Sequence, residues 1–185
     1  MVSFISHTLF ILYLIIFTIS ITCSTGILSE DIFEAIAKKR MAKTSHLHFY
    51  FHDIISGENP TAVKIIRGNE LGFGTTYMID DVLTESPDRS LKLIGRAQGM
   101  YSLASQHDLG LLMIVNFVFT DGKYNGNSLS MLGNNHVLEN VREMPIVGGS
   151  GIFRLAKGYA LAHTIWFDQK TGDAIVEYNV TVQHF

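Results

Sequence analysis

The chain has 185 residues, of which 47% are apolar and 17% charged, a composition that excludes an intrinsically disordered protein. Its formal net charge of −3 argues against nucleic acid or an anionic membrane surface as the main partner. With 16 glycines, 3 prolines and no low-complexity tract, the composition is typical of a single turn-rich β domain.

Residues 1–25 have the pattern of a secretory signal peptide. The apolar run 9–21 is shorter than a membrane span, and small residues that suit cleavage follow it. Because no Lys or Arg precedes the run, an uncleaved signal anchor stays open as the alternative. Cleavage would remove Cys23, the one cysteine of the sequence. We therefore expect a secreted protein that leaves the membrane after cleavage and folds without disulfides.

Residues 26–45 are interpreted as a variable N-terminal extension. Over 27–43 the acidic residues come first and the basic residues last, while Leu28, Ile32 and Ile36 recur every four residues. Both features favour a short helix, because they match the helix dipole and place the apolar residues on one stripe. A loosely attached segment, a propeptide or a partner-binding arm stays open.

The rest of the chain, residues 46–185, is predicted to be an all-β domain. Apolar and polar residues alternate in short segments that glycine and polar clusters separate. The predicted strands are 47–55, 61–66, 72–80, 92–101, 110–120, 128–132, 152–167 and 174–184, with a break near Gly158 left open in the seventh. Short strands with tight connections favour a closed, eight-stranded antiparallel β-barrel, since closure leaves no free sheet edge.

Two strands carry information about the outer surface. The segment 111–119 is apolar on both faces except at Asn116, and a barrel interior can bury only one of those faces. We therefore expect a homo-oligomer that covers the other face. In the last strand, Asn179 opens the sequon Asn179-Val180-Thr181 on the polar face, which makes Asn179 a candidate glycosylation site.

The first strand carries the strongest candidate for chemistry. Its alternation places Leu47, Phe49, Phe51 and Asp53 on one face, and the apolar members predict that this face lies inside the barrel. Burial would raise the pKa of Asp53 and make its carboxyl a candidate general acid. The alternative is that Asp53 ends the strand and binds loop amides.

No motif in the sequence predicts a metal or another cofactor. His46, His48 and His52 are close in sequence, but the glutamate of a cupin-like metal site is missing and strand geometry turns His52 away from Asp53. The chain also lacks a glycine-rich phosphate loop and a GxSxG nucleophile motif. We therefore expect no cofactor.

Five segments, taken in order, resemble the plant dirigent family. They are HLHFYFHDI at 46–54, GRAQGMY at 95–101, LLMIVNFVFTDGKYNGNSLSMLGNN at 111–135, VREMPIVGGSGIFRLAKGYA at 141–160 and GDAIVEYNVTV at 172–182. The resemblance covers nearly the whole chain after the expected signal peptide. It implies a barrel of the allene-oxide-cyclase type, secreted to the apoplast, and a homo-oligomer in which a trimer is favoured and a dimer is possible.

The same resemblance implies a function. Dirigent proteins impart stereoselectivity on the coupling of phenoxy radicals, as in the formation of lignans from coniferyl alcohol, and an external oxidase or laccase makes the radicals. Some members instead close rings on quinone methides and form pterocarpans. We expect the coupling function, with ring closure or a non-catalytic role in organising cell-wall lignin as the alternatives.

Motif positions also imply site residues. Asp53 and Arg142 match the cavity acid and the cavity arginine of the family, and we expect both to be catalytic. The expected substrate contacts are of two kinds. Motif positions indicate Tyr101, Asp80 and Asn135, and the face of the first strand indicates Phe49 and Phe51. Pinoresinol-forming members carry an acid where this chain has Asn135. An acid can transfer a proton to a substrate, whereas an amide cannot. Those members also carry a cysteine pair, so both departures indicate a different branch.

Overall fold

The structure, a computed structural model, describes residues 13, 42–70, 72–88 and 92–185. Within them the chain forms nine strands: β1 (Lys43–Asp53), β2 (Ala62–Ile66), β3 (Thr76–Thr84), β4 (Leu93–Leu103), β5 (Gly110–Phe119), β6 (Ser128–His136), β7 (Arg142–Gly149), β8 (Lys157–Phe167) and β9 (Ala174–His184). No helix in these ranges is long and apolar enough to cross a membrane. The expected signal peptide, with Cys23, and the helix expected over 27–43, except for its last two residues, lie outside the described residues.

The strands form a closed antiparallel barrel. They pair in the order β1-β9-β8-β7-β6-β5-β4-β3-β2, and a further pairing of β1 with β3 closes the ring. β1 pairs with the second half of β3, whereas β2 pairs with the first half. Eight strands therefore close the barrel while β2 extends the β1 edge, which confirms the predicted eight-stranded barrel and leaves β3 paired along its length.

Several strand boundaries differ from the prediction. The sequence pattern does not predict β7 because Pro145 and two glycines interrupt its apolar residues. Pro145 fits there because the β6–β7 ladder ends at the pair Met131–Ile146, so Pro145 lies just beyond it. The predicted strand 152–167 begins only at Lys157, since Gly151–Phe153 forms a 3-10 turn and Leu155 has a φ of 62°. The third strand runs over 76–84 rather than 72–80, and the sixth continues to His136.

The two ends of the barrel interior differ. Large aromatic side chains fill one end, where the ring of Phe49 packs 5.0 Å from that of Phe117 and 5.7 Å from that of Tyr178, measured between centroids. Phe119 and Phe153 complete this cluster. Burial of such rings is a large apolar contribution to stability. The opposite end, where β1, β4, β6 and β8 finish, is not filled and contains the cavity described next.

Candidate functional site

The open end of the barrel contains a cavity of about 420 Å³ with mainly apolar walls. Its polar lining side chains are Asp53, Tyr77, Tyr101, Asn135, Arg142, Thr164 and Tyr178. Leu109, Leu138 and Phe167 are exposed apolar residues at its wall. An apolar cavity of this size with a few convergent polar groups is typical of a site for a small organic molecule.

Asp53 lies at the end of β1 and its carboxyl lines the cavity, as the alternation of the first strand predicts. The hydroxyl of Tyr101 donates a hydrogen bond to Oδ1 of Asp53 over 3.4 Å. Burial, with a smaller contribution from the charge of Asp173, raises the pKa of Asp53 to about 6 although the Tyr101 bond opposes the rise. Asp53 can therefore hold and release a proton in mildly acidic to neutral water.

Tyr101 forms the aromatic wall next to Asp53. Its ring stacks on that of Tyr77 with centroids 5.1 Å apart and an angle of 25° between the planes. Burial and the neighbouring Asp53 raise the pKa of Tyr101 far above its ordinary value. The phenol therefore stays protonated and acts as a donor, so it can hold the Asp53 carboxylate in one orientation.

Arg142 begins β7 and is buried, with 3% of its surface exposed. Its Nε donates to Oδ1 of Asn135 over 3.0 Å, and its two terminal nitrogens donate to Oγ1 of Thr164 over 2.9 Å and to the carbonyl of Glu139 over 3.4 Å. Burial lowers the pKa of Arg142. Among the described residues no carboxylate forms an ion pair with it.

A buried guanidinium held only by neutral acceptors keeps its full charge for a ligand. It has five N–H donors, and the three bonds above leave two of them for an oxygen in the cavity. Because the site is poorly solvated, an interaction of that charge with a developing oxyanion is stronger than in water. Arg142 lies three strands from Asp53 around the ring, so the two groups can address different parts of one ligand.

The structure does not place Asp80 in the cavity. β3 alternates, and its inner face carries Tyr77, Ile79, Asp81 and Leu83, so Asp80 is on the outer face. There it accepts hydrogen bonds from Nε of Arg96 over 2.6 Å and from Gln98 over 3.0 Å. Burial opposes these bonds but they prevail, and the pKa of Asp80 is lowered. The expectation that Asp80 lies in the cavity and contacts substrate is therefore wrong, because its side chain is on the outer face of the barrel.

Phe49 is also outside the cavity. It lies two residues deeper along β1 than Phe51, has no exposed surface and packs in the aromatic cluster at the closed end. Phe51, in contrast, lines the cavity together with Asp53. The alternation of the first strand predicts the inner face of both rings but not the depth to which the cavity extends.

Asn179 and the three histidines lie on the outer side of the barrel. Asn179 is exposed, in agreement with the predicted polar face of the last strand. His46 bonds Thr181, His48 bonds Glu177 and the buried His52 bonds Thr84. Across the described ranges no three His, Cys, Asp or Glu side chains come together as a possible metal site.

Sequence reasoning missed three residues of this region: Tyr77, Thr164 and the buried Asp81. The alternation of TYMIDDVLT would have placed Tyr77 and Asp81 with Ile79 and Leu83 on the inner face. Thr164 carries no comparable signal, because it becomes significant only through its bond to Arg142, 22 residues away in sequence.

Comparison with known proteins shows a family match. A family model described as "Dirigent-like protein" matches residues 44–183. Dirigent protein 23 of Arabidopsis thaliana is 52% identical over 147 residues, covering 77% of this chain and 79% of that protein. Pterocarpan synthase 1 of Glycine max is 47% identical and covers 79% of this chain and 82% of that protein. The solved pterocarpan synthase dirigent protein GePTS1 is 47% identical with a TM-score of 0.76, covering 78% of this chain and 86% of that chain.

Proposed function

This chain belongs to the dirigent family, and from that premise we propose that its cavity binds a reactive phenolic intermediate and fixes the face on which it reacts. The observation that carries the proposal is that a cavity with mainly apolar walls holds one proton donor, Asp53, and one cation, Arg142, that has no acidic partner among the described residues. Such a cavity suits a planar aromatic molecule that bears oxygens at two ends.

The reaction that uses both groups is ring closure on a quinone methide. A hydroxyl of the substrate attacks the methide carbon, a C–O bond forms, and the electron pair of the exocyclic double bond moves through the ring onto the carbonyl oxygen. Asp53 in its acid form gives its proton to that oxygen, and the attacking hydroxyl releases its own proton to water. Arg142 binds a second oxygen and orients the molecule, so that only one face of the methide carbon is open to attack.

The relatives support the same choice. Two pterocarpan synthases, from Glycine max and Glycyrrhiza echinata, are each 47% identical to this chain. Their names describe those proteins, and the likeness extends to most of the barrel. Ring closure is accordingly our first candidate for this chain.

Stereoselective coupling of phenoxy radicals is the second candidate. The aromatic walls at Phe51, Tyr77 and Tyr101 favour it, because they can hold neutral aromatic radicals without any proton transfer. An external oxidase or laccase would supply the radicals. In either reaction, a difference of about 1.4–3 kcal/mol between two faces gives roughly ten- to hundred-fold selectivity.

The outer surface supports a homo-oligomer. An apolar row crosses the outer faces of β2 to β6, and each member is the direct cross-strand neighbour of the next: Val63, Met78, Met100, Ile114 and Leu132. All but Met100 are among the exposed large apolar residues. We propose that a second copy of the chain covers this row, within a trimer or a dimer. We also propose that the protein is secreted to the apoplast and carries a glycan on Asn179. Asn179 lies on β9, away from the row, so a glycan there would leave the row free.

The proposal is tested on the chain without residues 1–25. One reaction contains a 2′-hydroxyisoflavanol, which loses water to give the quinone methide. A second contains coniferyl alcohol with a laccase, and the products of each reaction are separated on a chiral column. Ring closure or an enantiomeric excess above the protein-free reaction supports a directing role. The proposal would be contradicted if the isoflavanol reaction gave no ring closure and the laccase reaction gave only racemic coupling products. Binding of these phenols without any bias in product would instead support the non-catalytic role in cell-wall lignin.

A further inference from the structure

The proposed mechanism does not use Asp81, a fully buried acid on β3. Asp81 has no exposed surface, and neither of its carboxyl oxygens has a hydrogen-bond partner of regular geometry. The hydroxyl of Thr61 lowers the pKa of Asp81, but it also donates to the carbonyl of His52 over 3.4 Å and accepts from the amide of Ile54 over 3.2 Å. An ionised carboxylate in that position would be costly, because burial disfavours charge and one shared hydroxyl offsets it only in part.

The strand register brings Asp81 to Asp53. The β1–β3 ladder ends with Phe51 opposite Leu83 and His52 opposite Val82, and extending this register by one residue sets Asp53 opposite Asp81. The charge of Asp53 acts on Asp81, in agreement with that extension. Both side chains are on the inner side of their strands, Asp53 at the cavity and Asp81 sealed beneath the surface. Side chains directly opposite each other have Cβ atoms about 4.5–5.5 Å apart, close enough for two carboxyls to share a proton.

Within the part of the chain that the structure describes, no cation on the inner side compensates the pair. The titratable or charged groups around it are Tyr77 and Asp80 on β3, Arg96 and Tyr101 on β4, Asp173 before β9, and Tyr178 on β9. Arg96 binds Asp80 on the outer face and has only a minor influence on Asp81. Burial first and the charge of Asp53 second raise the pKa of Asp81 to about 8, although the hydrogen bond from Thr61 opposes the rise.

We propose that Asp53 and Asp81 form a carboxyl pair that retains one proton, with Asp81 as the positioning residue that holds it. Two carboxylates this close in a poorly solvated site do not ionise together, and the sealed member is the one that stays protonated. After Asp53 gives its proton to the substrate, the O–H of Asp81 donates a hydrogen bond to the new carboxylate and stabilises it. The inference rests on the proposed function only in taking Asp53 as the proton donor.

The pair is tested by ¹³C NMR of protein labelled at aspartate carboxyls, titrated from about pH 4 to about pH 9. We expect one protonated aspartate in the wild type at pH 7, lost in Asp81→Asn. In Asp53→Asn the remaining Asp81 should titrate at lower pH than in the wild type, since the charge of Asp53 is gone. Wild type with every aspartate ionised at pH 7, or an Asp81 titration unchanged in Asp53→Asn, would overturn the proposal.

A second pair of variants separates hydrogen bonding from packing. Asp81→Asn keeps a donor towards Asp53, whereas Asp81→Leu removes it at similar volume; we expect the Asp53 titration to move to higher pH only in Asp81→Leu. Equal Asp53 titrations in both variants would contradict the positioning role. If neither variant folds, the Asp53→Asn titration still decides. Because the NMR readout needs no turnover, its failure is distinguishable from failure of the proposed function.

Discussion

The guanidinium of Arg142 is held over 3.0 Å by the amide oxygen of Asn135, a neutral partner, in a cavity whose one lining acid, Asp53, lies three strands away. The charge of Arg142 is therefore not neutralised by the described residues. Both the proposed binding of a substrate oxygen and the choice of substrate depend on this uncompensated charge.

Asn135→Asp is expected to neutralise that charge. The new carboxylate would accept from Nε of Arg142 at the present contact, and a charged pair is stronger than the amide contact it replaces. We expect affinity for 4-nitrophenolate, measured by calorimetry, to fall about tenfold or more. Asn134→Asp is the matched control, because Asn134 is exposed and bonds His136 instead. Equal affinity of the two variants would contradict a role of Arg142 in binding oxyanions.

Stability should depend on pH through the two buried acids. The folded protein binds the protons of Asp53 and Asp81 more tightly than the unfolded chain, since both folded pKa values are raised, to about 6 and about 8. The free energy of unfolding therefore falls as pH rises from the ordinary carboxyl range to about 8, and the loss is complete above it. Acids with lowered pKa, such as Asp80 and Asp173, act only below that window.

Asp81→Asn removes the larger part of this pH dependence of stability, because the pKa of Asp81 is raised further than that of Asp53. Urea unfolding at about pH 5 and about pH 8.5 should show that the wild type loses at least about 1.4 kcal/mol more than the variant, the equivalent of one pKa unit. Asp80→Asn, one residue away on the outer face, should follow the wild type over this interval. Parallel losses in wild type and Asp81→Asn would show that Asp81 is ionised in the folded protein.

The outer apolar row gives a prediction about assembly. Ile114 lies in the middle of that row, so Ile114→Glu would bury a charge wherever a second copy covers it. We expect a smaller assembly than the wild type by size exclusion with light scattering. Gln183→Glu, on the exposed face of β9, adds the same charge outside the row and should leave the mass unchanged. A monomeric wild type, or a mass unaffected by Ile114→Glu, would contradict the proposed interface.

The barrel could be predicted because inward and outward residues alternate along most strands. The first and last strands are examples, in which Phe51 and Tyr178 mark the inner face and Asn179 the outer one. β7 escaped because Pro145 and its glycines resemble a turn, although Met144 and Ile146 are buried as strict alternation requires. The point at which a strand ladder ends, and with it the place where a proline is tolerated, depends on the neighbouring strand, and no local pattern reports it.

The sequence predicted which strands supply the site. It did not predict how deep the cavity extends into the barrel or which side chains bond to one another. Asp53, Tyr101 and Arg142 line one cavity, while Asp80 and Phe49 do not. The Asp80 error is one of face, since a shift by a single residue along a strand exchanges inside for outside. The contact of Arg142 with Thr164 and the facing of Asp53 and Asp81 arise from strand register, which the sequence does not display.

The most direct measurement is the rate and the enantiomeric excess of ring closure of a 2′-hydroxyisoflavanol with wild type, Asp53→Asn and Asp80→Asn at about pH 6. We expect one enantiomer in excess from the wild type and from Asp80→Asn, and a loss of rate of about 10²-fold or more in Asp53→Asn with the fold retained by circular dichroism. A racemic product from the wild type, or an Asp53→Asn variant as fast and as selective as the wild type, would contradict the account.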